Sequence, residues 1–168
     1  MYIGVKSEEH PMGRKEELLA AFDDSWRFRW ESLDKKLEDV TDEEAQYLHP
    51  MYAGIPLEAE HPPEGTILWH VVHLANVYRW YMAVIRERPN EPTVTDLPLA
   101  KSLEEARANL RESRQLFRDY VASLTEEQLD EKHFDGRTPL LITRMMPRHD
   151  AWHTAHITMI RRLYRYRT

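Results

Sequence analysis

Apolar residues recur at steps of three and four through most of this chain, and that spacing constrains its fold more than any other feature. Side chains three or four positions apart share one face of an α-helix. The pattern predicts four long amphipathic helices, over residues 14–40, 66–88, 102–124 and 138–165. Because no segment shows a convincing strand pattern, we expect an all-α, up-and-down four-helix bundle.

Cap and turn signals separate these helices. Thr41–Glu44 and Ser102–Glu105 have the pattern of a capping box, and Thr138-Pro139 is a good pair of N-cap and first helical residue. The first of these boxes predicts a short helical turn, and residues 125–130 predict another one after the third helix. Residues 49–64 are rich in proline and predict a long loop.

The length and composition fit one domain of 168 residues, over 1–168, that buries its own core. The chain has no cysteine, which excludes disulfides, thiolate ligands and a cysteine nucleophile. It shows neither a basic leader with an apolar run nor a stretch of about 18 apolar residues. We therefore expect a cytoplasmic protein with no membrane segment.

The charge is acidic overall but unevenly distributed. The formal net charge of −6 argues against a nucleic-acid partner. Residues 139–168, however, hold six arginines and one aspartate. The favoured interpretation is that these arginines stabilise the helix dipole and pair with acidic neighbours; the alternative is a site for an anionic substrate or partner beside the last helix.

Three histidines stand out on the fourth predicted helix. His149, His153 and His156 lie at i, i+4 and i+7 and share one face. Imidazole is the commonest protein ligand for metals, and two histidines at i and i+4 can hold one ion. Buried imidazoles without partners would cost about 1–3 kcal/mol for each unpaired group, whereas a metal satisfies several at once. The pattern therefore favours a metal site over ordinary core histidines.

A further ligand has to come from another helix, and the second one offers His70 and His73. These two lie about 60° apart around the helix, so periodicity alone does not choose between them. Three nitrogen ligands would leave a position open for water or substrate, as in catalytic zinc sites. His149-Asp150-x-x-His153 is also weakly similar to the zincin motif. Its aspartate is shorter than the zincin glutamate, however, and lies about 100° around the helix from His149.

Two segments resemble the DinB/YfiT-like family. In Thr66–Trp80, an apolar run is followed by His73-Leu-Ala and a tryptophan two turns on, and His149-Asp-Ala-Trp-His153 is followed by Ile157 and Arg161. The resemblance implies a four-helix bundle that holds a divalent metal, zinc or nickel, through His73, His149 and His153. It also implies a homodimer formed through helix faces and thiol-dependent transfer with a low-molecular-weight thiol.

The chain departs from the family pattern in two places. Ala155 and His156 replace the usual Gly-Gln, and Asn76 and Tyr78 stand where an acidic residue is often found. His156 could line the pocket, hydrogen-bond a ligand or supply a fourth nitrogen. The other pocket candidates are Tyr78, Trp152, Arg161, which would attract an anionic group, and His70, which we expect to act in the core or as a hydrogen-bonding partner rather than as a ligand.

The resemblance implies a metal-dependent enzyme in which the metal would act as a Lewis acid. The leading activity that it implies is thiol-dependent transfer to small electrophiles. Two alternatives stay open: a stress-linked metal-binding or dimeric scaffold protein without catalysis, and a metal-dependent hydrolase.

Overall fold

The computed structural model describes residues 13–27, 32–50, 62–87, 90–92, 94, 97–133 and 135–167. Within these ranges the chain is helical and contains no strand, which confirms the all-α prediction. Its elements are α1 (Arg14–Arg27), α2 (Leu33–Lys36), α3 (Asp42–Gln46), α4 (Ile67–Glu87), α5 (Leu103–Ser123), the 3-10 helix Gln128–Asp130 and α6 (Pro139–Arg165). The predicted loop over 49–64 lies largely outside the described residues.

The prediction of one continuous helix over residues 14–40 is wrong. Residues 14–40 contain α1 and α2, which are separate helices, and residues 37–39 form a turn. Ser32 has an extended backbone, and its side chain accepts a hydrogen bond from the Lys35 amide, so a new helix begins there. Leu33 and Leu37 are still buried, which explains why the apolar spacing continues past the break.

The three predicted caps are confirmed. The hydroxyl of Thr41 accepts from the Glu44 amide at 3.1 Å, and the hydroxyl of Ser102 accepts from the Glu105 amide at 3.2 Å. Thr138 accepts from the Leu141 amide at 3.2 Å, and Pro139 occupies the first turn of α6. Each cap satisfies a backbone N–H that has no partner within its helix, so the start of each helix is locally determined.

The core is centred on α4, which packs closely against α5 and also contacts α6. The apolar face predicted for α5 is buried at Leu103, Ala106, Leu110 and Phe117. Phe22 of α1 lies 5.6 Å from Phe117 and 6.1 Å from Tyr78, measured between ring centroids. This aromatic cluster joins α1, α4 and α5.

No helix in the described part of the chain is long and apolar enough to cross a membrane.

Candidate metal centre

The site lies between α4 and α6, each of which contributes histidines one turn apart. His149 and His153 are four residues apart on α6, so both side chains point from one face of that helix. His73 reaches them from α4. One ring nitrogen of each residue lies within 4.8 Å of the other two. The structure therefore brings together the two histidines of α6 with His73, one of the two residues that periodicity had left open on α4.

The spacing of these nitrogens fits a shared ion. The Nε2 atoms of His149 and His153 are 3.2 Å apart. Two nitrogens bound tetrahedrally to zinc at about 2.0–2.1 Å would lie about 3.3 Å from each other. The His73 ring lies 4.9 Å from the His153 ring and 5.8 Å from the His149 ring, between centroids. The residues present thus fit a divalent metal with little rearrangement.

Burial holds His149 and His153 in the neutral form that binds metals. His153 is completely excluded from solvent, and burial lowers its pKa far below the usual value, with His70 and His149 adding to the effect. Burial also lowers the pKa of His149. A neutral imidazole keeps a lone pair for a metal, whereas an imidazolium has none. His149 and His153 therefore keep a lone pair for a cation near neutral pH.

His70 contacts a member of the triad from the other side. Its Nδ1 lies 2.8 Å from Nδ1 of His153, and the residue is 3% exposed. Burial lowers its pKa to about 4, and His156 and His73 add to the shift. His70 is therefore a hydrogen-bonding partner of His153, which is one of the two roles expected for it.

Two tryptophans lie on either side of the histidines. Trp69 stacks on His73, with ring centroids 4.8 Å apart and planes 13° from parallel. The ring centroids of Trp152 and His156 are 4.1 Å apart. The Trp152 ring is also nearly parallel to the His149 ring, with centroids 6.4 Å apart. Trp152 and His156 are exposed, so they form the solvent side of the cluster and stay candidates for contact with a small molecule.

Tyr78 is not on this side of α4. It lies five residues after His73, which places it about 140° around the helix. Its side chain is fully buried in the aromatic cluster, and its hydroxyl donates to Oδ2 of Asp150 at 2.5 Å. The prediction that Tyr78 lines the pocket therefore does not match its position, because the rotation of α4 turns it into the core.

Asp150 is also turned away from the position of a zincin base. Its Oδ2 accepts hydrogen bonds from Tyr78 and from Nε1 of Trp26, the latter at 2.8 Å. Its Oδ1 is buried and has no hydrogen-bond partner among the described residues. Burial raises the pKa of Asp150 to about 6, while Tyr78, Trp26 and the charge of Arg114 act in the opposite direction. The sequence did not predict Trp26 as a partner of Asp150, because the contact joins two helices that are far apart along the chain.

Arg161 lies in an ion-pair cluster instead of facing the triad. Its Nε donates to Glu44 at 2.8 Å, its Nη2 to Asp39 at 2.7 Å and its Nη1 to the carbonyl of Lys36 at 2.6 Å. All three guanidinium nitrogens are thus engaged within the chain. The idea that Arg161 attracts an anionic group does not fit this arrangement, because acidic residues next to α2 and α3 already neutralise it.

The fold and the histidine cluster together define a helical-bundle protein with a candidate metal site shared by two neighbouring helices. The family model of the DinB superfamily matches residues 25–157. The chain therefore belongs to the DinB superfamily, as the sequence resemblance indicated. Comparison with curated proteins and with solved structures found no match.

The contact between Tyr78 and Asp150 yields a pH-dependent prediction. Below about pH 6 the buried carboxyl is mostly neutral, and above it the carboxylate depends on its donors. We expect Tyr78→Phe to lower the free energy of unfolding by about 1.5–3 kcal/mol at pH 8 and by less at pH 5, because hydrogen bonds to charged groups are the stronger ones. Urea unfolding of the metal-free protein at both pH values measures this difference.

Tyr120→Phe is the matched control, since Tyr120 is a half-buried tyrosine on α5. Its effect should be small and independent of pH. An equal loss of stability for Tyr78→Phe at pH 5 and pH 8 would contradict the assignment.

Proposed function

We propose that this protein binds a divalent transition-metal ion, zinc or nickel, through His73, His149 and His153 and that it is a metal-dependent enzyme. The observation that carries the proposal is the convergence of three ring nitrogens within 4.8 Å, on residues that are buried or half-buried. Imidazole ligands suit zinc and nickel. Membership of the DinB superfamily supports the same conclusion.

The leading activity is transfer of a low-molecular-weight thiol to a small electrophile. His73, His149 and His153 would hold the metal and leave a coordination position open for a thiol or water, and the metal would supply the Lewis acidity that lowers the pKa of that group. The chain's own contribution is positioning and exclusion of water. Trp69 supports the His73 ring, and the exposed indole of Trp152 provides an apolar surface beside His149.

The chemistry of the transfer needs no further reactant. The thiol releases its proton to solvent water, its sulfur bonds to the electrophilic carbon, and the leaving group departs with the electron pair of the bond that breaks. His156 is an exposed imidazole on α6, in contact with Trp152. We assign it to the mouth of the site, where it can hydrogen-bond a substrate. The cytoplasm, with its pool of reduced thiols, is the compartment that fits this activity.

Metal analysis tests the ligand set directly. We expect tag-free protein loaded with zinc and then desalted to retain about one ion per chain. His149→Ala and His153→Ala should each reduce this to near zero, because two imidazoles hold a divalent ion much more weakly than three. His156→Ala is the matched control on the same helix and should retain the ion. Elemental analysis gives the ratio, and an empty wild-type protein or a metal-free His156→Ala would refute the triad as assigned.

A thiol-dependence assay separates the proposed enzyme from its alternatives. The zinc- or nickel-loaded protein is incubated with an electrophile such as a haloarene and a panel of small thiols. We expect turnover that requires both thiol and metal and that is lost in His153→Ala. Cleavage of ester or amide substrates without a thiol would instead identify the hydrolase. Metal binding with neither reaction would leave the binding or scaffold role.

We also propose that the protein forms a homodimer through α6. Four exposed apolar side chains lie within about 20° of one line along α6 and its C-cap, and the exposed Arg148 lies on the same line between the first two. They are Leu141, Trp152, Met159 and Tyr166, which are 47%, 53%, 64% and 82% exposed. An apolar line on the outside of a helix is typical of a face that pairs with another helix.

The oligomeric state of the protein tests whether the exposed apolar line on α6 forms a dimer interface. Sedimentation velocity at micromolar concentration should show a dimer for the wild type and a monomer for Met159→Glu, because the substitution buries a charge in the interface. Leu116→Glu is the control, since Leu116 is an exposed leucine on α5, away from the line. A wild-type monomer, or dissociation caused equally by both substitutions, would contradict the proposal.

A further inference from the structure

His153 has a partner on each side of its ring. On one side, its Nε2 lies 3.2 Å from Nε2 of His149, within the proposed metal triad. On the other side, its Nδ1 lies 2.8 Å from Nδ1 of His70. His153 and His70 are 0% and 3% exposed, so water does not substitute for either contact. Two ring nitrogens at this distance form a hydrogen bond only when one of them carries the proton.

The position of that proton decides whether His153 can be a ligand. A neutral imidazole has one N–H and one lone pair. If His70 donates to His153, the remaining hydrogen of His153 sits on Nε2 and points towards His149. If His153 donates to His70, its Nε2 lone pair is free to bind an ion, and His70 carries its own hydrogen on Nε2. Only the second arrangement is compatible with the triad.

We propose that His70 is a positioning residue that selects the metal-binding tautomer of His153 and holds its ring in place. This inference rests on the proposed metal site, but it concerns a residue outside that site. Ligating histidines generally donate their second ring N–H to an acceptor that orients them. Here the acceptor is itself an imidazole.

The placement of His70 suits this role for two reasons. It precedes His73 by three residues, or about one turn, so α4 supplies both a ligand and the residue that orients another ligand. The carboxylate nearest to His153 in sequence is that of Asp150, but its Oδ2 is engaged by Tyr78 and Trp26, and its Oδ1 accepts no hydrogen bond from any described residue. His70 is therefore the acceptor that the structure offers to the Nδ1 of His153.

Two substitutions at His70 distinguish the effect of losing the hydrogen-bond acceptor from the effect of losing the volume of the ring. His70→Phe fills the space but leaves the Nδ1–H of His153 without a partner. His70→Asn is the matched variant, because its amide oxygen can accept from nearly the same position as Nδ1. We expect zinc affinity, measured by competition with a chromogenic chelator, to fall about 10–100-fold in His70→Phe. In His70→Asn most of that loss should be restored.

Nitrogen NMR of the imidazole rings gives a second readout that needs no variant. In zinc-loaded wild type, His153 should carry its hydrogen on Nδ1 and His70 on Nε2, with a scalar coupling between the two Nδ1 nuclei across the hydrogen bond. This readout keeps the proposal testable even where His70→Phe fails to fold.

The outcomes distinguish this inference from the proposed function. Equal zinc affinity in wild type and a folded His70→Phe would overturn the role of His70 and leave the triad intact. An affinity as low in His70→Asn as in His70→Phe, or a hydrogen on Nδ1 of His70 in the zinc-loaded protein, would overturn it as well. A wild type that binds no zinc would instead refute the metal site, and the role of His70 with it.

Discussion

The burial of one imidazole, that of His153 between α4 and α6, is the constraint on which the site depends. A buried ring with two nitrogens is costly unless both have partners. His153 meets this condition with His70 at one nitrogen and the triad at the other. The arrangement requires α4 and α6 to face each other with a particular rotation, because a turn of either helix would leave a nitrogen facing apolar side chains. The same rotation of α4 and α6 therefore determines both the packing of the bundle and the geometry of the candidate metal centre.

Polar contacts on the other faces of α6 hold that rotation. Asp150 lies about 100° around the helix from His149 and accepts from Trp26 of α1 and Tyr78 of α4. Near its end, α6 is tied to α2 and α3 by Arg161, which reaches Asp39 and Glu44. These contacts do not involve the histidines. Their combined effect is to present the histidine face of α6 to α4.

The sequence predicted the parts of this structure that depend on local pattern. The three caps, the long helices α4, α5 and α6, and the pairing of His149 with His153 follow from spacing alone. Choosing His73 over His70 required the family resemblance, since 60° of rotation is within the uncertainty of a helical pattern. The sequence did not predict the break before α2. Periodicity indicates which side chains are buried, and Leu33 and Leu37 would be buried in one continuous helix as well as in two separate ones. The contact of Trp26 with Asp150 joins residues 124 positions apart, and no local pattern contains such information.

Trp152 belongs to two features of the molecule at once. It contacts His149, His153 and His156 at the candidate metal centre, and it is also part of the exposed apolar line along α6. A second helix laid along that line would cover the indole and reduce the solvent around the site. Lower solvent exposure strengthens electrostatic interactions inside a site and favours an apolar substrate over a hydrated one. In a dimer formed through α6, association and the environment of the metal centre would therefore be coupled through this single side chain.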